Sequence, residues 1–317
     1  MFHPRFTQAN NKLMSIFVQA NQKWEEMLML NSTSQQIPLK DGRKLGYAEY
    51  GSNIGSPIFF FHGFLGSRFS GRSLDEAAKL VNARIIAIDR PGIGLSDFKP
   101  GRLYSDWPDD VTELADKLAI DRFAILGVSA GGPHALACAF KIPQRLTAAA
   151  VVSSPCPYNV KSVIGNMPRS ERLRAFVGRK APWLVSVYLS MTTRNAFRNP
   201  AATILRTLGE LPESDKEILN RPETLQRIAD DLRESFLSGT RGVAWEYSLL
   251  TRLWGFRLED ISAEIQLWHG EADMTISPIM GHHLANTIPN CRAKFFPGEG
   301  HSVISAHAQE ILYNLVV

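Results

Sequence analysis

Cysteine is scarce in this chain of 317 residues: Cys138, Cys156 and Cys291 stand apart, with no C-x-x-C pair. That argues against a disulfide framework and against a zinc site, and it fits a reducing, cytoplasmic setting. Long apolar runs are missing too, and none approaches the roughly 18 residues that a membrane span needs. Near the N-terminus Arg5 and Lys12 precede the run from Leu13 to Val18, but Gln19, Asn21 and Gln22 break it and no small-x-small cleavage site follows. No secretory signal is expected from that pattern. Charge is only mildly one-sided, at a formal +4, and no nucleic-acid motif or aromatic-basic array goes with it, so no nucleic-acid partner is expected. Internal repeats and low-complexity segments are absent as well.

What is present is an ordinary hydrophobic content of 44%, enough for a large core. Residues 1–35 read as an N-terminal helical extension, with an amphipathic helix over about 10–30 carrying Leu13, Phe17, Trp24, Met27 and Leu28 on one side. From residue 36 the texture changes to a hairpin around Asp41-Gly42, then unbroken apolar runs at Ile58–Phe61 and Arg84–Ile88. Runs without alternation indicate strands buried on both faces, as in a parallel sheet. Strand and helix alternate to about residue 157 and resume at Ile265–His269, which predicts an α/β core from 36–157 and 259–317. The intervening 158–258 reads as helices, a cap over the strand ends where such sheets bind ligands. Between Lys161 and Arg198 it holds eight basic residues against one acid, Glu171. With Trp183 and Tyr188 among them, that stretch invites peripheral contact with an anionic lipid surface; a solvated face balanced by the acidic stretch from Glu210 to Glu234 is the plainer alternative.

The sharpest signal is Gly127-Val128-Ser129-Ala130-Gly131. A glycine-rich loop with an incidental serine would give the same five letters. The flanks decide against it: Phe123–Leu126 reads as a buried strand and Gly131–Phe140 as a helix of small residues. Strand, G-x-S-x-G, helix is the setting of a nucleophile elbow, a turn so tight that only small neighbours let strand and helix pass. It leaves the hydroxyl exposed beside the free N–H groups of a helix N-terminus.

A serine hydroxyl needs a base, and the base needs an orienting acid. Asp273, in Gly270-Glu271-Ala272-Asp273, follows one predicted strand, and His301, in Gly298-Glu299-Gly300-His301, follows the next. The order Ser, Asp, His suits an elbow of this kind. Glu271 and Glu299 are rival acids, while the segment after the preceding strand, Val151–Cys156, offers none. His134 is expected to pack within its helix and His269 to be structural. The two donors that a tetrahedral oxyanion requires are assigned to the backbone N–H of Ala130 and of Phe64, the latter in His62-Gly63-Phe64-Leu65-Gly66.

Taken together, His62-Gly63, the stretch Asp89-Arg90-Pro91-Gly92-Ile93-Gly94-Leu95-Ser96-Asp97, the elbow, Gly270–Asp273 and Gly300-His301 resemble an α/β-hydrolase-fold protein of the esterase, lipase and peroxidase-like group. Gly92 and Gly94 are not read as a dinucleotide site, since the third glycine and the helix opening are missing. Family members that cleave epoxides or carbon–halogen bonds are expected to carry aspartate at the elbow, and serine at 129 weighs against both. The resemblance implies a mostly parallel sheet flanked by helices. The expected activity is that of a serine hydrolase acting, through an acyl-enzyme, on a small-to-medium apolar carboxylic ester. No metal and no organic cofactor is implied. Cleavage of a carbon–carbon bond, peracid formation, or slow-turnover ligand reception on the same fold are the alternatives.

Overall fold

The computed structural model of the chain describes residues 33–158, 160, 165, 169–198 and 211–317. Its strands are β1 (Gln35–Pro38), β2 (Lys44–Gly51), β3 (Ser56–Phe61), β4 (Ala83–Ile88), β5 (Phe123–Val128), β6 (Leu146–Val152), β7 (Ile265–Gly270) and β8 (Cys291–Phe296). They form one sheet in the order β1-β2-β4-β3-β5-β6-β7-β8. β1 and β2 are the predicted antiparallel hairpin, and β2 also runs antiparallel to β4. From β4 to β8 every neighbouring pair is parallel.

Residues of one strand divide between two cores. Phe59 and Phe61 of β3 join the cluster on one face of the sheet, and Ile58 and Phe60 join the cluster on the other. β4 splits in the same way, Ile86 and Ile88 against Ile85 and Ala87. Because both faces are covered, the stretches Ile58–Phe61 and Ile85–Ile88 are apolar without interruption. Burying each such Phe or Ile is worth about 1.5–3 kcal/mol.

The helices that do the covering alternate with the strands. α1 (Asp75–Leu80) places Ala78 on the second face; α2 (Trp107–Lys117) and α3 (Gly132–Lys141) place Trp107, Val111, Leu114 and Leu136 on the first. Between β6 and β7 the described residues contain no strand. They contain α4 (Arg169–Lys180), α5 (Pro182–Arg198), α6 (Glu213–Leu219), α7 (Pro222–Ser235) and α8 (Arg241–Leu250). Proline opens α5 and α7, where its fixed φ suits the first turn and its missing N–H is not needed. After β7, α9 (Pro278–Thr287) adds Met280 and Leu284 to the first face, and α10 (Val303–Val316) adds Ile311, Leu312 and Leu315 to the second.

The expected helix near residues 10–30 lies outside the described residues. At the elbow the sequence reading starts the helix at Gly131, whereas the chain first makes a 3-10 turn, Ser129–Gly131, and the helix begins at Gly132. Trp183 and Tyr188 are each 65% exposed on α5. No helix among the described residues is long and apolar enough to cross a membrane.

α8 meets the loop after β4 backbone to backbone at Gly242, where a Cβ would stand 1.9 Å from the carbonyl oxygen of Gly92. Two backbones meet there, and neither can turn aside as a side chain would. Gly242→Ala is expected to lower stability by about 2 kcal/mol or more, as overpacking of a rigid contact does, read as a lower urea midpoint with an unchanged slope.

Candidate active site

Ser129 sits where β5 gives way to α3, with φ at +53°, the left-handed region that a non-glycine residue enters at a cost of roughly 1–2 kcal/mol. The neighbours that hold it there are small by necessity. A Cβ on Gly131 would lie 2.0 Å from the carbonyl oxygen of Phe61, the last residue of β3. The loop after β3 then runs past the serine: a Cβ on Gly63 would lie 3.9 Å from Ser129 Oγ. Among the described residues, the Phe64 N–H makes no turn or loop hydrogen bond to another backbone group.

Asp273 follows β7 and is buried. Its Oδ1 accepts hydrogen bonds from the Thr275 and Ile276 amides, both at 2.8 Å. That turn leaves Oδ2 free to accept from His301 Nδ1, also at 2.8 Å. With Nδ1–H committed to the carboxylate, the lone pair of the neutral ring is on Nε2. His269 Nε2 lies 3.6 Å from the same Asp273 oxygen but bonds the Ile276 carbonyl at 2.9 Å. Burial lowers the pKa of His269, which favours its neutral form. The rival acids are occupied elsewhere: both oxygens of Glu299 lie 2.9 Å from His307 Nε2, and Glu271 lies 3.3 Å from His282 Nε2.

Ser129, Asp273 and His301 thus follow β5, β7 and β8 at the ends where the parallel strands stop together. No hydrogen bond joins Ser129 Oγ to His301 Nε2 in this structure; such bonds often tighten only when substrate is present. Between them, at the end of β6, Ser153 donates to the His301 carbonyl at 3.2 Å.

The histidine loop is also held from the β6–β7 helices, by a residue that sequence reasoning missed. Asp215, buried on α6, accepts from the His301 amide through Oδ2 and from the Ser302 amide through Oδ1, each at 2.9 Å. Beside it, Ser214 Oγ accepts from the Gly300 amide at 3.2 Å. Nothing local marks Asp215, because its partners are backbone groups 86 and 87 positions away. A cleft of about 630 Å³ opens next to this clasp. Its walls include His301, Val128, Asp215, Thr224 and Asp231, but not Ser129 itself.

Two further residues missed as site elements are Arg90 and Glu246. The loop Asp89–Ser96 folds on itself: Asp89 accepts from the Leu95 amide at 2.9 Å, and Ser96 Oγ donates to the Asp89 carbonyl at 2.6 Å. Arg90 is thereby turned inward, where its Nε donates to Glu246 Oε2 at 2.7 Å. Arg102 pairs with the other oxygen of Glu246. Burial alone would raise the Glu246 pKa, but the two guanidinium groups outweigh it and hold the carboxyl well below the usual range. A lone acid among Val243, Ala244 and Trp245 is the signal that could have found it, since an apolar helix face tolerates a charge only against a buried partner.

His62 and His134 complete this cluster and are fully enclosed. Burial pushes His134 down to about 3, against the pull of Glu246 and with the push of Arg90 and Arg102. His62 is likewise held well below its ordinary value by burial and then by Arg90. The 3.7 Å approach of His134 Nε2 to Glu246 is therefore not an ion pair. Among the described residues no group of three His, Cys, Asp or Glu side chains is placed to hold a metal.

A strained serine between strand and helix, a carboxylate–imidazole pair at the same sheet edge and eight strands in this order are the marks of one class of protein. The sequence model of the alpha/beta hydrolase fold matches residues 56–308, and the chain belongs to that family. Among its relatives is the putative 2-succinyl-6-hydroxy-2,4-cyclohexadiene-1-carboxylate synthase of Bacillus subtilis, 28% identical over 84% of this chain and 91% of that protein. Another is the bifunctional epoxide hydrolase 2 of Sus scrofa, 27% identical over 84% of this chain and 51% of that protein, so the chain spans about half of it. An esterase from Exiguobacterium antarcticum has a similar structure, with a TM-score of 0.66 at 18% identity, covering 89% of this chain and 98% of that one. The enol-lactonase of Burkholderia xenovorans gives 0.64 at 18%, covering 89% and 99%. Identities this low carry the fold alone.

The two enclosed imidazoles make acid stability predictable in sign. Each is neutral when folded and titrates near 6.5 when unfolded, so below that pH the unfolded chain binds more protons and stability falls. Between pH 6.5 and 5 the loss is expected to approach about 1.4 kcal/mol per pH unit for each of the two. Urea midpoints across that range measure it, and His134→Phe is expected to remove about one proton from the slope.

Proposed function

We propose that this chain is a serine hydrolase with Ser129 as nucleophile, His301 as base and then acid, and Asp273 as the group that orients and steadies the imidazole. The observation that carries the reading is the 2.8 Å bond from His301 Nδ1 to a buried Asp273 whose other oxygen is already satisfied. That arrangement leaves Nε2 free to take the Ser129 proton as Oγ attacks an acyl carbon. The Phe64 and Ala130 amides receive the oxyanion. His301 returns the proton to the departing alcohol, and water activated by the same nitrogen releases the acid from the acyl-enzyme.

The substrate class is a small-to-medium, largely apolar carboxylic ester. An acyl reaction is what the serine at the elbow and the carboxylate–imidazole pair beside it support. The epoxide hydrolase relative does not redirect the reading, because serine stands at 129 where the resemblance leads us to expect aspartate in epoxide-cleaving members. Residues 158–258 serve as the cap that shapes the acyl and alcohol sites. The three free cysteines fit a cytoplasmic protein.

A fluorophosphonate probe is expected to label the wild type at Ser129. Ser129→Ala is expected to lose the label and at least about 10³-fold in ester turnover, and Asp273→Asn to lose about 10³- to 10⁴-fold in kcat with its fold intact. A panel of esters graded by acyl length then reads the size of the pocket. An unlabelled wild type, or Ser129→Ala at full activity, sinks the assignment.

A further inference from the structure

Beneath the loop that passes Ser129, donors converge on one carbonyl. Gly63 O accepts from His62 Nδ1 at 2.9 Å, from Arg90 Nη2 at 3.2 Å and from the Gly66 amide at 3.3 Å. Arg90 Nη1 also donates to the His62 carbonyl next to it. With its Nε on Glu246, the guanidinium uses all three of its nitrogens, two on this loop and one on α8. The side chains of Arg90 and Glu246 are 1% and 3% exposed, so no solvent screens them.

Gly63 O and the Phe64 N–H belong to the same planar peptide unit and point in opposite directions across it. Whatever fixes the oxygen aims the N–H. A cation on the oxygen side also draws electron density through the amide and makes the N–H a stronger donor, as in any hydrogen-bond chain inside a low-dielectric interior. Arg90 is the only charged donor of the three. The cluster around it carries two guanidinium groups against one carboxylate, and its two imidazoles are neutral. One positive charge is therefore left uncompensated among these groups, on the side of the peptide away from the serine.

We propose that Arg90 is a positioning residue for the oxyanion site: it aims and polarises the Gly63–Phe64 peptide, and Glu246 on α8 holds it in place. The inference rests on the serine-hydrolase reading above and deepens it. It makes a helix of the β6–β7 segment part of the machinery that binds the transition state, without touching substrate.

The test compares wild type with Arg90→Met and Arg90→Lys, using p-nitrophenyl butyrate for turnover and an alkyl trifluoromethyl ketone, whose hemiketal oxygen anion occupies the oxyanion site. Removing an oxyanion donor outright costs about 10²- to 10³-fold in kcat, so weakening one through its peptide is expected to cost about 10- to 100-fold in Arg90→Met. KM should stay within about threefold, since an interaction made only in the transition state lowers kcat and kcat/KM together. The trifluoromethyl ketone should lose affinity by the same factor as kcat. Arg90→Lys, which keeps the buried charge but not the paired geometry, should recover part of both.

A residue that only fills space would lower the melting temperature and leave the ratio of ketone affinity to KM where it was. Deleting the Arg90 charge leaves Glu246 and Arg102 as a balanced pair, which favours folding of Arg90→Met; should that variant not fold, Arg90→Lys decides. Turnover within twofold of wild type together with unchanged ketone affinity in Arg90→Met, or in Arg90→Lys where Arg90→Met does not fold, overturns the inference, as does a fall in kcat that the ketone does not follow. Fluorophosphonate labelling of the wild type separates the two readings. An unlabelled wild type overturns the serine-hydrolase assignment and this inference with it, whereas a labelled wild type with indifferent Arg90 variants overturns the inference alone.

Discussion

The carbonyl oxygen of Phe61 and the α-carbon of Gly131 lie so close that no side chain fits between them. That approach brings the end of β3 against the start of the turn after β5, and much else at the site depends on it. It presses Ser129 into a left-handed conformation and lays the His62–Gly66 loop across the serine. It also places the amides of Phe64 and Ala130 at the same sheet edge. Were the two backbones an ångström further apart, the hydroxyl and the loop would still exist but would not address one another. A parallel sheet makes the approach possible, because neighbouring strands run the same way and end at a common edge.

The same edge explains why so much was legible before any coordinates. β3, β4 and β5 are buried on both faces, so their apolar runs read as central strands, and each candidate residue stands within a few positions of a strand end. Ser129, Asp273 and His301 stand out as candidates because their neighbours carry the signal: glycines, a preceding apolar run and a fixed order along the chain. The rivals Glu271 and Glu299 could not be dismissed from sequence, because only the fold shows them beside His282 and His307. Asp215 was invisible for a different reason. Its partners are main-chain amides, which have no identity in a sequence, and its helix carries no motif.

Arg90 and Glu246 fall between these cases. The stretch from Asp89 to Asp97 was read for its resemblance and its glycines, and its arginine was passed over. Its inner logic is electrostatic: Asp89 and Ser96 close the loop so that the guanidinium can leave it. Placing three full charges where water cannot reach is costly unless each is paired and hydrogen-bonded. Here Glu246 spans both guanidinium groups, and two carbonyls accept from Nη1 and Nη2 of Arg90. Two nitrogens of Arg102 and the Nε2 atoms of His62 and His134 find no hydrogen-bond partner among the described residues.

The contacts from the β6–β7 segment to the core are unevenly shared. α6 grips the histidine loop through Asp215, α7 reaches the core through Asp231 on Ser67 and Glu234 on Arg68, and α8 reaches it through Glu246. α4 and α5 make no such charged contact among the residues described, and they show Phe176, Trp183, Val187 and Met191 to the outside. The segment is therefore two materials joined end to end. One half is tied by charged side chains to the loops around Ser129 and His301. The other turns apolar side chains outward, a surface whose alteration would leave those ties in place.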